Sequence, residues 1–343
     1  MPRFFRMRSW PTLLSSLIAL VPAAASAQSV EEFYRGKQGR FVIHSTPGGA
    51  YDGWARLLVP YFTKYLPGNP VFVPQNMPGA GGLVAANYLY TRAPKDGSVI
   101  GMVGRNIPSD ALMKAGTVGF DPRQFNWLGN PEFGATVSIV TSNAPATSAK
   151  DLFEKEVLVG GAGAGSAVST MPIVIRNLLG MKFKLVEGYG SQSAITLAIE
   201  RGEVHGSFAT LTSVQTSFPG ALKSGRIRIL FNLERKPVPG INAPSIFEFA
   251  KTDEQRQVLN LLSVSSEVGR PVLAPPGVPK EIVSALRSAF DSAMNDRQLQ
   301  ADASKMGLPA ENFVSGKELQ AIVDDLMNTP ASVVKSMNAL MKN

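Results

Sequence analysis

Residues 40–62 read RFVIHSTPGGAYDGWARLLVPYF, and the order of patterns in this stretch decides the fold class. Residues 40–45 form a short apolar, β-branched run of the kind that makes a buried strand. Thr46-Pro47-Gly48-Gly49 then breaks it with turn chemistry. From about residue 52 to 65 the apolar positions Trp54, Leu57, Leu58 and Phe62 recur at helical spacing. A strand that turns through glycine into a helix is the opening half of a βαβ unit, so the reading is α/β with a largely parallel sheet.

The same step recurs along the chain. Residues 71–73 and 83–90 give a second strand and helix, and 99–103 a third strand. Another set starts at Val157: a strand to Gly160, a glycine-rich turn, a helix over 171–179, a strand over 183–187, a helix over 191–200 and a strand over 207–210. Two similar α/β halves follow. The turn-rich stretch 138–145 is the expected first crossing between them, and 268–279, with Pro275-Pro276-Gly277, the second. Predicted helices over 280–294, 297–305, 315–327 and 332–341 return to the first half. The domains are then 28–138 plus 270–343, and 139–269, joined by two segments as a hinge requires.

Residues 1–27 read as a secretory signal: Arg3, Arg6 and Arg8, an apolar run over 13–21, and the small residues Ala25-Ser26-Ala27. Cleavage is expected after Ala27, with export to the periplasm. The apolar run is too short to span a bilayer and is bracketed by Pro11 and Pro22. The chain has no Cys, which excludes disulfides, catalytic thiols and a lipid anchor on an N-terminal Cys. Its formal charge of +8 is spread along the chain without a block of like charges, which argues against nucleic acid and favours attraction of small anions.

Three glycine-rich turns each stand between a predicted strand and a predicted helix: Pro47-Gly48-Gly49-Ala50-Tyr51-Asp52, Pro78-Gly79-Ala80-Gly81-Gly82, and Gly160-Gly161-Ala162-Gly163-Ala164-Gly165-Ser166. Such turns aim backbone N–H groups and the positive end of a helix dipole at an anion. One alone reads as a tight connection, whereas three at equivalent positions point to an anion cleft. The third lacks the G-x-G-x-x-G spacing and the following acid of a dinucleotide site, and no glycine pair leads into Gly-Lys-Ser/Thr. No cofactor is expected. Beyond the leader there are two histidines: His44, inside the first predicted strand and read as core, and His205, in a helix-to-strand turn where it would face the cleft. They give no metal spacing, and no G-x-S-x-G elbow is present. Asp52 either caps the first helix or orders the loop that receives a ligand, with Arg56 one turn on as its partner. Tyr51 is a cleft wall by position, and Trp54 and Trp127 are core.

Taken together, these motifs resemble the extracytoplasmic solute receptors of tripartite tricarboxylate transporters, the Bug-type proteins. The resemblance runs over nearly the whole mature chain. It rests on Pro47-Gly48-Gly49 with Asp52, Ala55 and Arg56; Pro78-Gly79-Ala80-Gly81-Gly82; Pro94-Lys95-Asp96-Gly97; Phe120-Asp121-Pro122; and Ala274-Pro275-Pro276-Gly277-Val278-Pro279. It implies a two-domain periplasmic binding fold of the type II, Venus-flytrap class that closes on a small organic carboxylate and presents it to membrane permease subunits. Carried over by position, it implies ligand contacts at Gly48, Gly49, Ala50 and Asp52, at Ala80 and Gly81, at Gly165 and Ser166, and at Gly190 and Ser191. Two departures from the family pattern are His205, where Asp is common, and Ala167-Val168-Ser169, where a His is common. The expectation is a monomeric binding protein that performs no bond chemistry. Two rivals use the same cleft: a receptor for a membrane signalling protein, and an exported hydrolase using His205 with a serine such as Ser166.

Overall fold

A computed structural model describes residues 1–2, 28–113, 118–163, 166–235, 237–238, 240–308, 310 and 312–342. Residues 3–27 of the expected leader, and Gly165, lie outside them. Eleven strands are described: β1 Gln38–Ile43, β2 Val71–Asn76, β3 Val99–Met102, β4 Asn126–Asn130, β5 Thr136–Thr141, β6 Val157–Gly160, β7 Phe183–Val186, β8 Gly206–Thr210, β9 Ile227–Asn232, β10 Val272–Ala274 and β11 Val314–Ser315. They form two sheets, one ordered β11-β4-β10-β3-β1-β2 and the other β7-β6-β8-β5-β9.

The registers fix which ends face which. β1 runs parallel to β2 and β3, while β10 is antiparallel to both β3 and β4. The C-terminal ends of β1 to β4 and the start of β10 therefore share one edge. In the second sheet β6 is parallel to β7 and β8, and β5 is antiparallel to β8 and β9. The C-terminal ends of β6 to β9 and the start of β5 share an edge in the same way. The chain leaves the first sheet after Asn130, enters the second at Thr136, and returns through residues 269–271 to Val272. Both crossings join these two edges, so the loops that follow the strands of one sheet sit opposite those of the other.

The strand-turn-helix steps stand where the periodicity put them, with helices Ala50–Tyr65, Leu83–Thr91, Ala167–Leu179 and Gln192–Glu200. The first crossing does not. Residues 138–141 belong to β5, a central strand with Ser138 fully buried, and the chain changes sheets earlier, over 131–135. Thr136-Val137-Ser138-Ile139-Val140-Thr141 is a strand covered on both faces, and its Ser and Thr imitate linker composition.

The return of the C-terminal helices is also divided. Lys280–Met294 packs with Ala50–Tyr65 through Trp54, Leu58, Phe62, Leu286 and Phe290. The last helix, Ala331–Leu340, docks instead on helices of the second half. There Asn177 donates to the Leu340 carbonyl (2.8 Å) and Ser336 to Glu254 (2.6 Å). One apolar cluster accordingly runs through both sheets, from Val42 and Trp127 by way of Leu319, Val323 and Val333 to Phe208 and Phe231.

Gly269 opens the second crossing at φ +58°, and a Cβ there would collide with the Asn130 side chain and the Glu132 carbonyl. Backbone strain and collision add at this point. Gly269→Ala should lower unfolding free energy by about 2 kcal/mol or more, measured by urea denaturation. A change below about 0.5 kcal/mol would mean that the crossing yields without cost.

Candidate functional site

The first glycine turn ends β1 and opens Ala50–Tyr65 with Gly49 as its N-cap, without a side-chain cap. Asp52 lies buried in the first turn and accepts from the Gly48 N–H (3.0 Å), Arg56 Nε (3.0 Å) and Asn76 Nδ2 (2.9 Å). The Arg56 guanidinium, the Gly48 amide and Asn76 together hold its carboxyl down at about 2. Of the two readings of Asp52 the geometry selects the second: it folds the loop back onto the helix and ties it to β2. The Gly48 amide is thereby spent. Among the described residues no acceptor takes the N–H of Ala50, Tyr51 or Asp52, the donors a helix leaves free at its start.

The second turn is wound tightly, with Ala80, Gly81 and Gly82 at φ +45°, +64° and +99°. Holding alanine in that region costs about 1–2 kcal/mol. It turns successive amides the same way, which is the geometry of an anion-binding nest. Among the described residues the Ala80 and Gly81 N–H groups have no acceptor. This turn sits on His44, whose Nδ1 lies 3.1 Å from where a Gly82 Cβ would stand. His44 follows β1, packs edge-on to Tyr51 with ring centroids 4.2 Å apart, and has a buried Nε2 without a partner. Burial holds its imidazole below the ordinary 6.5, so it is neutral at pH 7. The Tyr51 hydroxyl accepts from the Arg105 N–H (3.1 Å), just beyond β3, and donates to the Gly269 carbonyl (3.4 Å). Tyr51 thus locks the first turn to the loop after β3 and to the second crossing.

On the facing edge Ser166, Ser191 and Thr210 cap three helices, accepting from the Ser169, Ala194 and Ser213 N–H groups (3.3, 3.2 and 3.2 Å). Ser166 and the exposed pair Gly190 and Ser191 are therefore at the loop edge, as expected. His205 is not. It precedes β8, so it belongs to the opposite edge, five residues or roughly 16 Å of extended chain from Thr210. There its Nδ1 accepts from the Leu158 N–H (3.0 Å) while its own amide donates to the Leu158 carbonyl (2.9 Å). His205 pins β6 to β8. The helix-to-strand turn holding it enters the sheet at the far end, and parallel strand direction was the information needed to see this. Ser166 and His205 are consequently too far apart to act as nucleophile and base.

The crossings bring together residues that spacing alone did not join. Asn130 Oδ1 accepts from both the Glu132 N–H (3.0 Å) and the Arg270 N–H (2.9 Å), one from each crossing. Glu132 Oε2 accepts from Trp54 Nε1 (2.7 Å) and is ion-paired with Arg270 Nη1. The Arg270 guanidinium lies 5.3 Å over the Tyr51 ring. The end of β9 repeats the first part of this motif, with Asn232 Oδ1 accepting from the Glu234 N–H (3.0 Å). Glu234 is buried beside Thr136, whose N–H it accepts (2.8 Å), but Arg235 turns away to Glu267. Burial without a cation pushes the Glu234 carboxyl up to about 7.

Among the described residues no group of three or more His, Asp or Glu could hold a metal ion, and no helix is long and apolar enough to cross a membrane. A groove of about 720 Å³ lined by Asn126, Lys280, Arg287, Asp291 and Lys317 lies at the start of β4, on the edge opposite the glycine turns. Fold and loop edges define a two-lobed α/β protein with free amides and a stacked guanidinium on the loop edge of its first lobe.

Residues 55–339 match the family of tripartite tricarboxylate transporter receptors, and the chain belongs to that family. Its members are binding proteins, not enzymes, which removes the hydrolase reading. The fold is similar to a ligand-free solute-binding protein of this family from Polaromonas, at 15% identity and TM-score 0.70, covering 89% of this chain and 99% of that one. It is also similar to an R. palustris protein solved with adipate, at 22% identity and TM-score 0.58, covering 88% and 97%. A third is MatC from Rhodopseudomonas palustris with bound malate, at 18% identity and TM-score 0.56, covering 89% and 99%.

Two titrations test the electrostatics. Asp52 is depressed, so its contribution is present above its ordinary 3.8 and is lost as pH falls toward about 2. The Gly48 amide resonance should titrate with a midpoint near 2 by NMR; a midpoint at 3.8 would mean that the loop is not held by Asp52. Glu234 is raised, so the stability it confers is present below its ordinary 4.5 and is lost as pH rises toward about 7. Glu234→Gln, which keeps the acceptor for the Thr136 amide, should abolish that loss. Its denaturant midpoint should gain on wild type between pH 5 and 8, and parallel curves would refute the assignment.

Proposed function

We propose that this protein is a periplasmic receptor that captures a small organic carboxylate between its lobes and delivers it to the permease subunits of a tripartite transporter. The observation that carries this is the opposition of two loop edges. Free N–H groups of Ala50, Tyr51, Asp52, Ala80 and Gly81 stand on one edge, and helix starts at Ser166, Ser191 and Thr210 on the other. Backbone donors at helix starts bind anions, and charge-assisted bonds in a site drained of water contribute about 1.5–3 kcal/mol each. The R. palustris protein solved with adipate and MatC with bound malate both hold carboxylates, which supports the same class here.

In this reading the receptor is a monomer, freed from its leader after Ala27, with no cofactor. Its two bodies correspond broadly to 28–138 plus 270–343 and 139–269, with the moving boundary at the crossings 131–135 and 269–271. Closure buries the anion and adds the contacts of the second lobe, and release follows reopening at the permease.

Gly49 supplies a clean test. Its φ is −83° and a Cβ would meet nothing nearer than the Thr46 carbonyl at 3.9 Å, so a side chain fits without disturbing the fold. Gly49→Glu places a carboxylate at the start of the helix. Calorimetric titration with mono-, di- and tricarboxylates should find an acid that wild type binds and leaves chemically unchanged, and the folded variant should bind it at least tenfold more weakly. Equal binding by the two proteins would move the site elsewhere.

A further inference from the structure

We infer that Arg270 is a second anion anchor in the cleft and that the ligand is a short-chain dicarboxylate, one head on the glycine turns and the other on this guanidinium. The inference rests on the receptor reading above and goes beyond it by naming the residue that selects a two-headed acid.

Arg270 stands in the second crossing, directly before β10, and so on the loop edge of the first lobe. Its side chain is 12% exposed, and its guanidinium plane is placed by two neighbours, the Glu132 carboxylate at Nη1 and the Tyr51 ring beneath it. The remaining donors are not matched. Nε is buried without an acceptor, and Nη2 has none among the described residues yet is not closed off from solvent. An arginine fork with one prong occupied and one open presents a fixed, directional donor to a carboxylate.

The negative member of the pair is used up more fully. Glu132 Oε2 serves both Trp54 and Arg270, and the side chain is 4% exposed. Its other oxygen, Oε1, lies 3.7 Å from where a Gly134 Cβ would stand, and that same point is 3.5 Å from Thr210 Cγ2 of the second lobe. The ion pair therefore sits at the floor between the lobes, beside the cap of Leu211–Ser217.

Two sets of open donors result, separated by one tyrosine ring. The first is the free start of Ala50–Tyr65, where Tyr51 begins, and the second is the guanidinium stacked on the face of Tyr51. A monocarboxylate can satisfy only one of them. An acid with two heads on a short chain laid along the ring satisfies both, and its second head takes the open Nη2.

Calorimetric titration with succinate, malate, adipate and the monoamide of each tests this. Wild type should bind its best dicarboxylate at least tenfold more tightly than the matching monoamide. Arg270→Gln should bind the two alike, and Arg270→Lys should keep part of the preference. Removing Arg270 alone strands the buried Glu132 charge, so the decisive variant is Glu132→Gln/Arg270→Gln, which removes both charges together, with folding confirmed by its melting curve. A tenfold preference surviving in that double variant overturns the inference while leaving the receptor standing. Wild type that binds only monocarboxylates overturns it in the same way. Wild type that binds no acid at all overturns the receptor reading itself.

Discussion

The buried ion pair between Glu132 and Arg270 is the interaction on which the rest depends, because its members come from opposite crossings. A two-lobed protein has few covalent ways to set the relation of its lobes, and here two short segments share that task. Asn130 receives an amide from each, Glu132 receives the guanidinium of the other, and Trp54 fastens the pair to the first helix. Breaking such a pair by removing one partner typically costs about 3–5 kcal/mol, since the other charge stays buried. Replacing both together is often neutral. The pair is therefore better understood as fixing geometry than as supplying stability, and what it fixes is the distance from Tyr51 to the second lobe.

The contrast between Glu132 and Glu234 sharpens this. Both follow an Asn whose side chain accepts their amide, both are buried, and both stand where a strand meets the boundary between lobes. One has a guanidinium and the other does not, because Arg235 is drawn to Glu267 and Asp325. The same local fold thus yields an acid paired with a guanidinium on one side and an acid that holds its proton into the neutral range on the other. A proton on Glu234 lets a carboxyl sit at the start of β5 without an uncompensated charge, so pH in the neutral range bears on the second lobe.

Much of the fold was legible because its signal is local. Strand, glycine turn and helix occupy consecutive residues, so 40–62 could be read without knowing anything distant, and two of the C-terminal helices carry their own caps, Asp296 and Ser315. The helix Asp253–Val268 is equally marked in the sequence, by the Thr252 and Gln255 capping box. What failed depended on the partners of a strand. β5 looks like linker until β8 and β9 cover its sides, and His205 looks like a cleft residue until the direction of β8 is known. The site divides in the same way. Its backbone donors follow from glycine turns, whereas Arg270 and Glu132 are 138 residues apart and no spacing rule connects them.

The packed back of the molecule sets the terms for closure. A core that runs from Val42 through Leu319 and Val333 to Phe208, with the last helix bridging onto the second lobe, leaves little freedom on that side. The proposed closure would then turn on residues 131–135 and 269–271, which are themselves cross-linked by Asn130 and the ion pair. In the proposed receptor, an anion arriving at the loop edge meets donors already in place in the first lobe: the free amides beside Asp52, the wound turn at Ala80, and Arg270 stacked on Tyr51. Because these groups are held by partners of their own, little ordering remains to be done on binding, and the ligand's interaction energy is available to draw in the second lobe. The strained Ala80 turn sits on His44, and its Ala80 and Gly81 amides have no acceptor among the described residues.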